Sequence, residues 1–199
     1  MAPKISITGS SGYIGSQVFH DITEKQPEYQ IRGLFSGTGR RRPQRLHISL
    51  LSSLQKTGTF IQLSGAASIA STANGLGQLD PKIWSDVADL KETTTFDHGH
   101  MHAATGQLVL SKGLKHGIRT VVVIPLAVYG IGQGEIRKTS MVLPWYIDAV
   151  KKRGKGFILG EGKNIASIIH VKDLATAFIL LVEEALKNGG GSADWREKG

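Results

Sequence analysis

Three glycines stand close together in Thr8-Gly9-Ser10-Ser11-Gly12-Tyr13-Ile14-Gly15, where the apolar run Ile5-Ser6-Ile7 gives way to a helix-like stretch from Ile14 to Lys25. A strand-to-helix turn of this kind suits a dinucleotide pyrophosphate. Gly9 allows a sharp turn, Gly12 a close approach of backbone to phosphate, and Gly15 tight packing of helix on strand, while free N–H groups at the helix start face the anion. The alternative is an ordinary glycine-rich turn, and the position directly after a strand favours the anion site. Asp97-His98-Gly99-His100-Met101-His102 offers imidazoles that could ligate a metal. With Gly99 interleaved and no Glu or Cys nearby, a solvated loop is the better reading and no metal is expected.

Composition narrows the chemistry further. The 199 residues include no cysteine, so disulfides, thiolate catalysis and cysteine-held metals are excluded. No apolar stretch reaches membrane-span length, and Met1-Ala2-Pro3-Lys4 runs into a strand rather than an apolar leader, so a soluble, cytoplasmic protein without membrane partner is expected. The formal net charge of +8 is concentrated in clusters such as Arg40-Arg41-Arg42 with Arg45 and Lys151-Lys152-Arg153 with Lys155. No nucleic-acid-binding motif accompanies them, and the second cluster reads as a solvated helix end favoured by the helix dipole.

The elements that must position these residues alternate between strand and helix. Lys4–Thr8 reads as a strand and Ile14–Lys25 as a helix ended by Pro27, with Val18 and Ile22 one turn apart on its buried side. Gln30–Phe35 reads as a second strand, followed by a Gly- and Arg-rich loop from Ser36 to Pro43. Leu46–Lys56 has helical spacing, although His47-Ile48-Ser49 would suit a short strand. Thr59–Leu63 reads as a strand, and Ala66–His100 as a long excursion with a short helix, a length that suggests function. His102–His116 reads as a helix with Leu108 and Leu110 near Leu114, capped by Gly117, and Arg119–Pro125 as the most strand-like run. Helices are expected at Met141–Lys152 and Val171–Lys187, flanking a short strand at Phe157–Leu159. One Rossmann-like domain over 1–187 is expected, with a shortened region at 36–58, a partial substrate lobe at 131–170 and a flexible tail at 188–199.

Three further segments join the glycine turn in a recognisable order. Pro125-Leu126-Ala127-Val128-Tyr129-Gly130, Gly160-Glu161-Gly162-Lys163-Asn164 and His170-Val171-Lys172-Asp173-Leu174-Ala175 resemble the "P-x-x-x-Y-G", "G-x-G" and "H-V-x-D-L-A" segments of extended short-chain dehydrogenase/reductases, the NAD-dependent epimerase/dehydratase group. The resemblance implies an α/β fold with a doubly wound parallel sheet. It implies that Gly9, Ser10, Ser11, Gly12, Tyr13, Ile14 and Gly15 hold the pyrophosphate and that Pro125 and Val128 line the nicotinamide end. Asp173 would cap or orient its helix, and His170 would face either the substrate or a supporting partner. Beyond the second strand an acidic residue would bind the adenosine ribose, whereas arginine accommodates a 2′-phosphate. Here Ser36 and Arg40 follow, with no Asp or Glu before position 80, so NADP is favoured slightly over NAD; a basic loop without a ligand is the alternative.

The chain departs from that pattern in two ways. The family's Tyr-x-x-x-Lys pair, in which lysine lowers the tyrosine pKa for proton exchange during hydride transfer, should fall near His102 and Gly106, and neither matches. His102 is left as a candidate acid/base group, and Ser64, with Ser68, brackets the place of the hydroxyl that orients substrate; Ala66 occupies the place itself. Only 23 residues separate Phe35 from Thr59, where the family has two more strands with helices and one βαβ unit needs about 30. Some strands are therefore expected to be missing, the Thr59 strand would have to move inward to pair with the first, and the substrate lobe would be vestigial. Three functions follow as candidates: an oxidoreductase or epimerase acting on a small hydroxyl, carbonyl or sugar-like molecule, a nucleotide sensor without turnover, or an inactive family member.

Overall fold

The computed structural model describes residues 2–34, 58–70, 74–96 and 100–195. In chain order the elements are β1 (Lys4–Thr8), α1 (Tyr13–Lys25), β2 (Gln30–Leu34), β3 (Thr59–Leu63), α2 (Leu90–Thr94), α3 (Ala103–His116), β4 (Arg119–Val123), β5 (Ala127–Tyr129), α4 (Val142–Arg153), β6 (Ile168–His170) and α5 (Val171–Leu186). Short 3₁₀ turns lie at Ala66–Ser68 and Asn188–Gly190. Helices are interspersed among the strands and every ladder among the described residues is parallel, which is a Rossmann-like α/β architecture. The expected helix or strand within Leu46–Lys56 lies outside the described residues.

Two compact units divide the chain. The first contains β1, β2, β5 and β6 with α1, α4 and α5. β1 pairs with β2 from Lys4↔Gln30 to Thr8↔Leu34, and β5 with β6 from Ala127↔Ile168 to Tyr129↔His170. α1 packs along α5; Val18 and Ile22, one helical turn apart as the sequence pattern requires, are buried, as are Val171, Leu174, Ala175 and Ile179. Each Val, Leu or Ile among them contributes about 1.5–3 kcal/mol when fully buried. Gln26 adds a hydrogen bond of 2.8 Å from Nε2 to Glu183 Oε1.

In the second unit β3 pairs with β4, from Thr59↔Arg119 to Leu63↔Val123, and α3 packs on both strands. Val109 and Ile118 form its buried centre, with Phe60 and Val122 against them. Leu108 and Leu110 are half-buried at the side of this core. Leu114 is exposed and Val109 is buried, because small residues, Ala103 and Gly113, turn the buried side of α3 away from Leu114. Gly117, in the left-handed region at φ +67°, ends the helix as expected.

Two strand assignments change. Phe157–Leu159 is not a strand; positive-φ glycines at 154, 160 and 162 surround it, and the Phe157 ring folds back onto Tyr146 and Arg153 at the end of α4. The short strand is instead Ile168–His170, which takes Ala127–Tyr129 as its partner. The Thr59 strand also keeps β4, not β1, as its partner among the described residues. Within 188–195, Asn188–Gly190 forms a tight turn with Gly189 at φ +71°, and Trp195 Nε1 donates to Gly190 O at 2.8 Å.

Candidate functional site

The glycine turn is built almost entirely from backbone. Gly9 sits at φ +70°, and its N–H donates to Leu34 O at 3.1 Å, tying the turn to the end of β2. Gly12 N–H donates to Gly9 O at 2.8 Å, and Gly12 O accepts the first helical bond from Ser16 N–H at 2.8 Å. Gly12 is the N-cap of α1, and no side chain caps the helix there. The first N–H groups of α1 therefore remain available, at the positive end of the helix dipole and with no acidic residue in its first turn. Ser10 is only 6% exposed, and its hydroxyl has no partner among the described residues. A phosphate oxygen would satisfy the free N–H groups, so this helix start fits a dinucleotide; the Ser10 hydroxyl itself packs against Gly33 of β2.

Tyr13 divides its groups between two tasks. Its backbone lies in the uncapped first turn, whereas its hydroxyl donates to Gly130 O at 2.7 Å, just after β5. Burial pushes the Tyr13 phenol above its ordinary pKa and keeps it a donor. Ile14 and Ser11 are half-buried in the turn, and Val128 is half-buried in β5, paired with Ile169. Pro125 is buried beyond β4 in the second unit. Ser36 and Arg40, the expected readers of the adenosine end, lie outside the described residues.

His170 takes the capping task expected of Asp173. It precedes α5, and its Nδ1 accepts the Lys172 N–H at 3.2 Å, so Asp173 stands exposed in the first turn without being the cap. The His170 ring also meets Tyr129 edge-on at 5.2 Å and covers Gly130.

A second group of polar side chains collects at the carboxyl ends of β3 and β4, the edge where parallel α/β sheets bind ligands. Ser64 N–H donates to Val123 O at 2.8 Å and carries the ladder to this edge. Ser68 Oγ donates to Gly65 O at 2.8 Å, which commits that hydroxyl to the 3₁₀ turn and leaves Ser64 as the freer of the two serines. His102, the N-cap residue of α3, has φ +69° and is the one described non-glycine in the left-handed region. Its imidazole lies against Gly65, where a Cβ would stand 3.3 Å from Cδ2. Ser64 and His102 are thus drawn to the same edge. His100 hydrogen-bonds Ser68 O through Nδ1 at 3.1 Å and stacks on Phe96, contacts that spacing alone did not reveal. No group of three or more acidic, histidine or cysteine residues able to hold a metal occurs among the described residues, and none of their helices is long and apolar enough to cross a membrane.

Residues 41–192 match the model of the NAD dependent epimerase/dehydratase family. The chain belongs to this family. The glycine turn precedes the matched span. UDP-N-acetylglucosamine 4-epimerase from Methanobrevibacter ruminantium M1 superposes with TM-score 0.57 at 18% identity, over 92% of this chain and 74% of that one. The Bordetella bronchiseptica enzyme WbmH, solved with NAD+, gives TM-score 0.51 at 15% identity, over 92% of this chain and 73% of that one. Oxidase ucsJ from Acremonium sp is 22% identical over 93% of this chain and 67% of its own length. That alignment spans 234 positions against 199 residues here, so the oxidase carries internal residues for which this family member has no counterpart.

Proposed function

We propose that this family member binds NADP or NAD through the Gly9–Gly15 turn and acts on a small hydroxyl, carbonyl or sugar-like molecule as an oxidoreductase or epimerase. The uncapped start of α1 behind the turn carries the reading. When bound, the dinucleotide supplies hydride transfer. Gly9, Gly12 and Gly15 shape the turn, Ser10 and Ser11 form its tip, and the N–H groups of Tyr13, Ile14 and Gly15 donate hydrogen bonds to the phosphates. NADP is the proposed choice because Ser36 and Arg40 follow the second strand without an acidic residue. His102 is assigned the proton transfer and Ser64 the orientation of the substrate hydroxyl.

Calorimetric titration with both nucleotides tests the binding step. A Cβ at Gly12 would stand 3.2 Å from Gly9 O, a contact relieved by a few tenths of an ångström, so Gly12→Asp should fold while placing a carboxylate where phosphate approaches. The variant is expected to lose at least about tenfold in affinity, roughly 1.4 kcal/mol. Equal weak heats for wild type and variant would refute the dinucleotide reading.

His102→Gly separates the two roles open to the histidine. Relief of the left-handed φ offsets the larger unfolded-state entropy of glycine, so stability should stay within about 0.5 kcal/mol of wild type while turnover is lost. A fall of about 2 kcal/mol in denaturant unfolding would instead make the imidazole a packing group for Gly65. The absence of a Tyr-x-x-x-Lys pair on α3, where Lys112 follows Leu108 and Lys115 follows Ser111, favours a second reading, a nucleotide sensor. Stoichiometric binding with no change at 340 nm across sugars, ketones and aldehydes would select it.

A further inference from the structure

The segment after β5 is held to α1 in an unusual way. Ile131 and Thr139 form a bridge and Gly132 N–H donates to Lys138 O at 2.8 Å, so residues 131–139 close on themselves as one small loop. Three bonds join that loop and its leading residue to successive positions of the helix. Tyr13 Oη donates to Gly130 O at 2.7 Å, Gln133 N–H donates to Gln17 Oε1 at 2.6 Å, and Ser16 Oγ donates to Arg137 O at 3.2 Å. Asp21 Oδ1 accepts from Gln17 Nε2 at 2.6 Å and so fixes which end of the amide faces the loop. The helix side of the contact is closed to water, with Tyr13 9%, Ser16 4% and Gln17 0% exposed.

Apolar burial does not hold the loop. Its two large apolar side chains, Ile131 and Ile136, are 72% and 62% exposed. A segment fastened by a few polar bonds and no apolar side chain opens at low cost. Close approach depends on glycines: a Cβ at Gly134 would lie 2.3 Å from Ser16 Oγ. At the start of the loop Gly130, at φ +100°, lies directly under the His170 imidazole, an angle and an approach that only glycine allows.

We propose that Tyr13 and Gln17 are positioning residues that latch the Gly130–Thr139 loop onto α1, and that the latched loop is the state with high dinucleotide affinity. The second half of the proposal rests on the dinucleotide reading above. The link is Tyr13 itself, whose N–H belongs to the uncapped turn while its hydroxyl holds the loop. Opening the loop frees the ring and loosens the first turn of α1; a phosphate bound on that turn holds the ring in place and closes the loop. The loop carries two basic residues, Arg137 and Lys138, and one acidic residue, Glu135, and its Arg137 carbonyl meets Ser16 in α1.

Hydrogen exchange of the full chain, with and without NADP, tests both halves in wild type and Tyr13→Phe. Without nucleotide, the amides of Gly132 and Gln133 should exchange about fivefold faster in Tyr13→Phe while those of α5 are unchanged, and NADP affinity should fall by a similar factor, the worth of one such hydrogen bond. Unchanged exchange at 131–139 would overturn the latch. Faster exchange with unchanged NADP affinity would overturn the coupling. A wild type that binds neither nucleotide would overturn the dinucleotide reading and the coupling together, whereas the latch is still decided by exchange of the free protein. Should Tyr13→Phe fail to fold, Ser16→Ala removes the bond to Arg137 and is read by the same amides.

Discussion

Gly15→Ala is expected to abolish nucleotide binding and to cost about 3 kcal/mol of stability, the upper part of the range for an overpacked site. An added Cβ would lie 2.3 Å from Gly9 O and 2.8 Å from Gly9 C, and both obstacles are backbone. Neither can swing aside as a side chain would. Gly9 cannot retreat easily, because its N–H is bonded to Leu34 O and its carbonyl receives Gly12 N–H. The helix must therefore move outward, breaking the turn whose geometry aims the free N–H groups. Gly12→Ala is the matched control, since its Cβ meets the same oxygen at 3.2 Å and should cost well under half as much. Chemical denaturation and NADP titration of the pair check the claim, and equal losses in both variants would contradict it.

Gly77→Ala should lower stability by a comparable amount for a different reason. In the second unit the segment around Gly77 crosses the loop 158–163 backbone to backbone. Lys163 N–H donates to Gly77 O at 2.8 Å, and a Cβ at Gly77 would fall 1.8 Å from Leu159 O, while one at Gly160 would fall 2.1 Å from Leu76 O. Gly77 also stands at φ +77°, which costs an alanine about 1 kcal/mol before any collision. Gly75→Ala isolates that backbone share, because Gly75 has φ +91° but only Gln78 Cγ at 3.8 Å beside it. The difference between the two midpoints in urea measures the crossing. If the two variants unfold alike, the close approach at Gly77 does not occur in solution.

The crossing gives a role to a part of the chain that has little periodicity. Residues 66–100 read as a long excursion because apolar residues recur there at neither two nor 3.6 positions. What orders the described part is local polar chemistry. Asp89 accepts N–H from Ser85 and receives Lys82 Nζ at 2.7 Å, and Lys82 also reaches Glu92 at 3.1 Å. Those bonds hold the Asp89 carboxyl below the usual carboxylate range. Trp84 meets Phe96 edge-on at 5.3 Å, and Phe96 stacks on His100 at 4.4 Å, which leads the chain back to the edge occupied by Ser64 and His102.

Much of the fold was legible because the signals were local. β1, α1, β3 and β4 follow from apolar runs, helical spacing and glycine stops, and the glycine turn with the segments at 125–130, 160–164 and 170–175 marks the family to which the chain belongs. Local signals fail for the short strands. Ala127–Tyr129 and Ile168–His170 have three residues each, and each becomes a strand only because the other supplies its hydrogen bonds from some forty residues away. Phe157–Leu159 looks as suitable in isolation but finds no such partner among the described residues.

The sequence by itself determined the glycine turn and the alternation of elements around it, because glycine tolerance and apolar periodicity act within a few residues. Only the tertiary structure decided where the side chains of that turn go. Tyr13 reads as part of a phosphate cradle, yet its hydroxyl ends on a carbonyl 117 residues further along, and His102 acquires its left-handed backbone and its place beside Gly65 from packing. A hydrogen bond depends on which distant group arrives within about 3 Å, and no local pattern encodes that meeting.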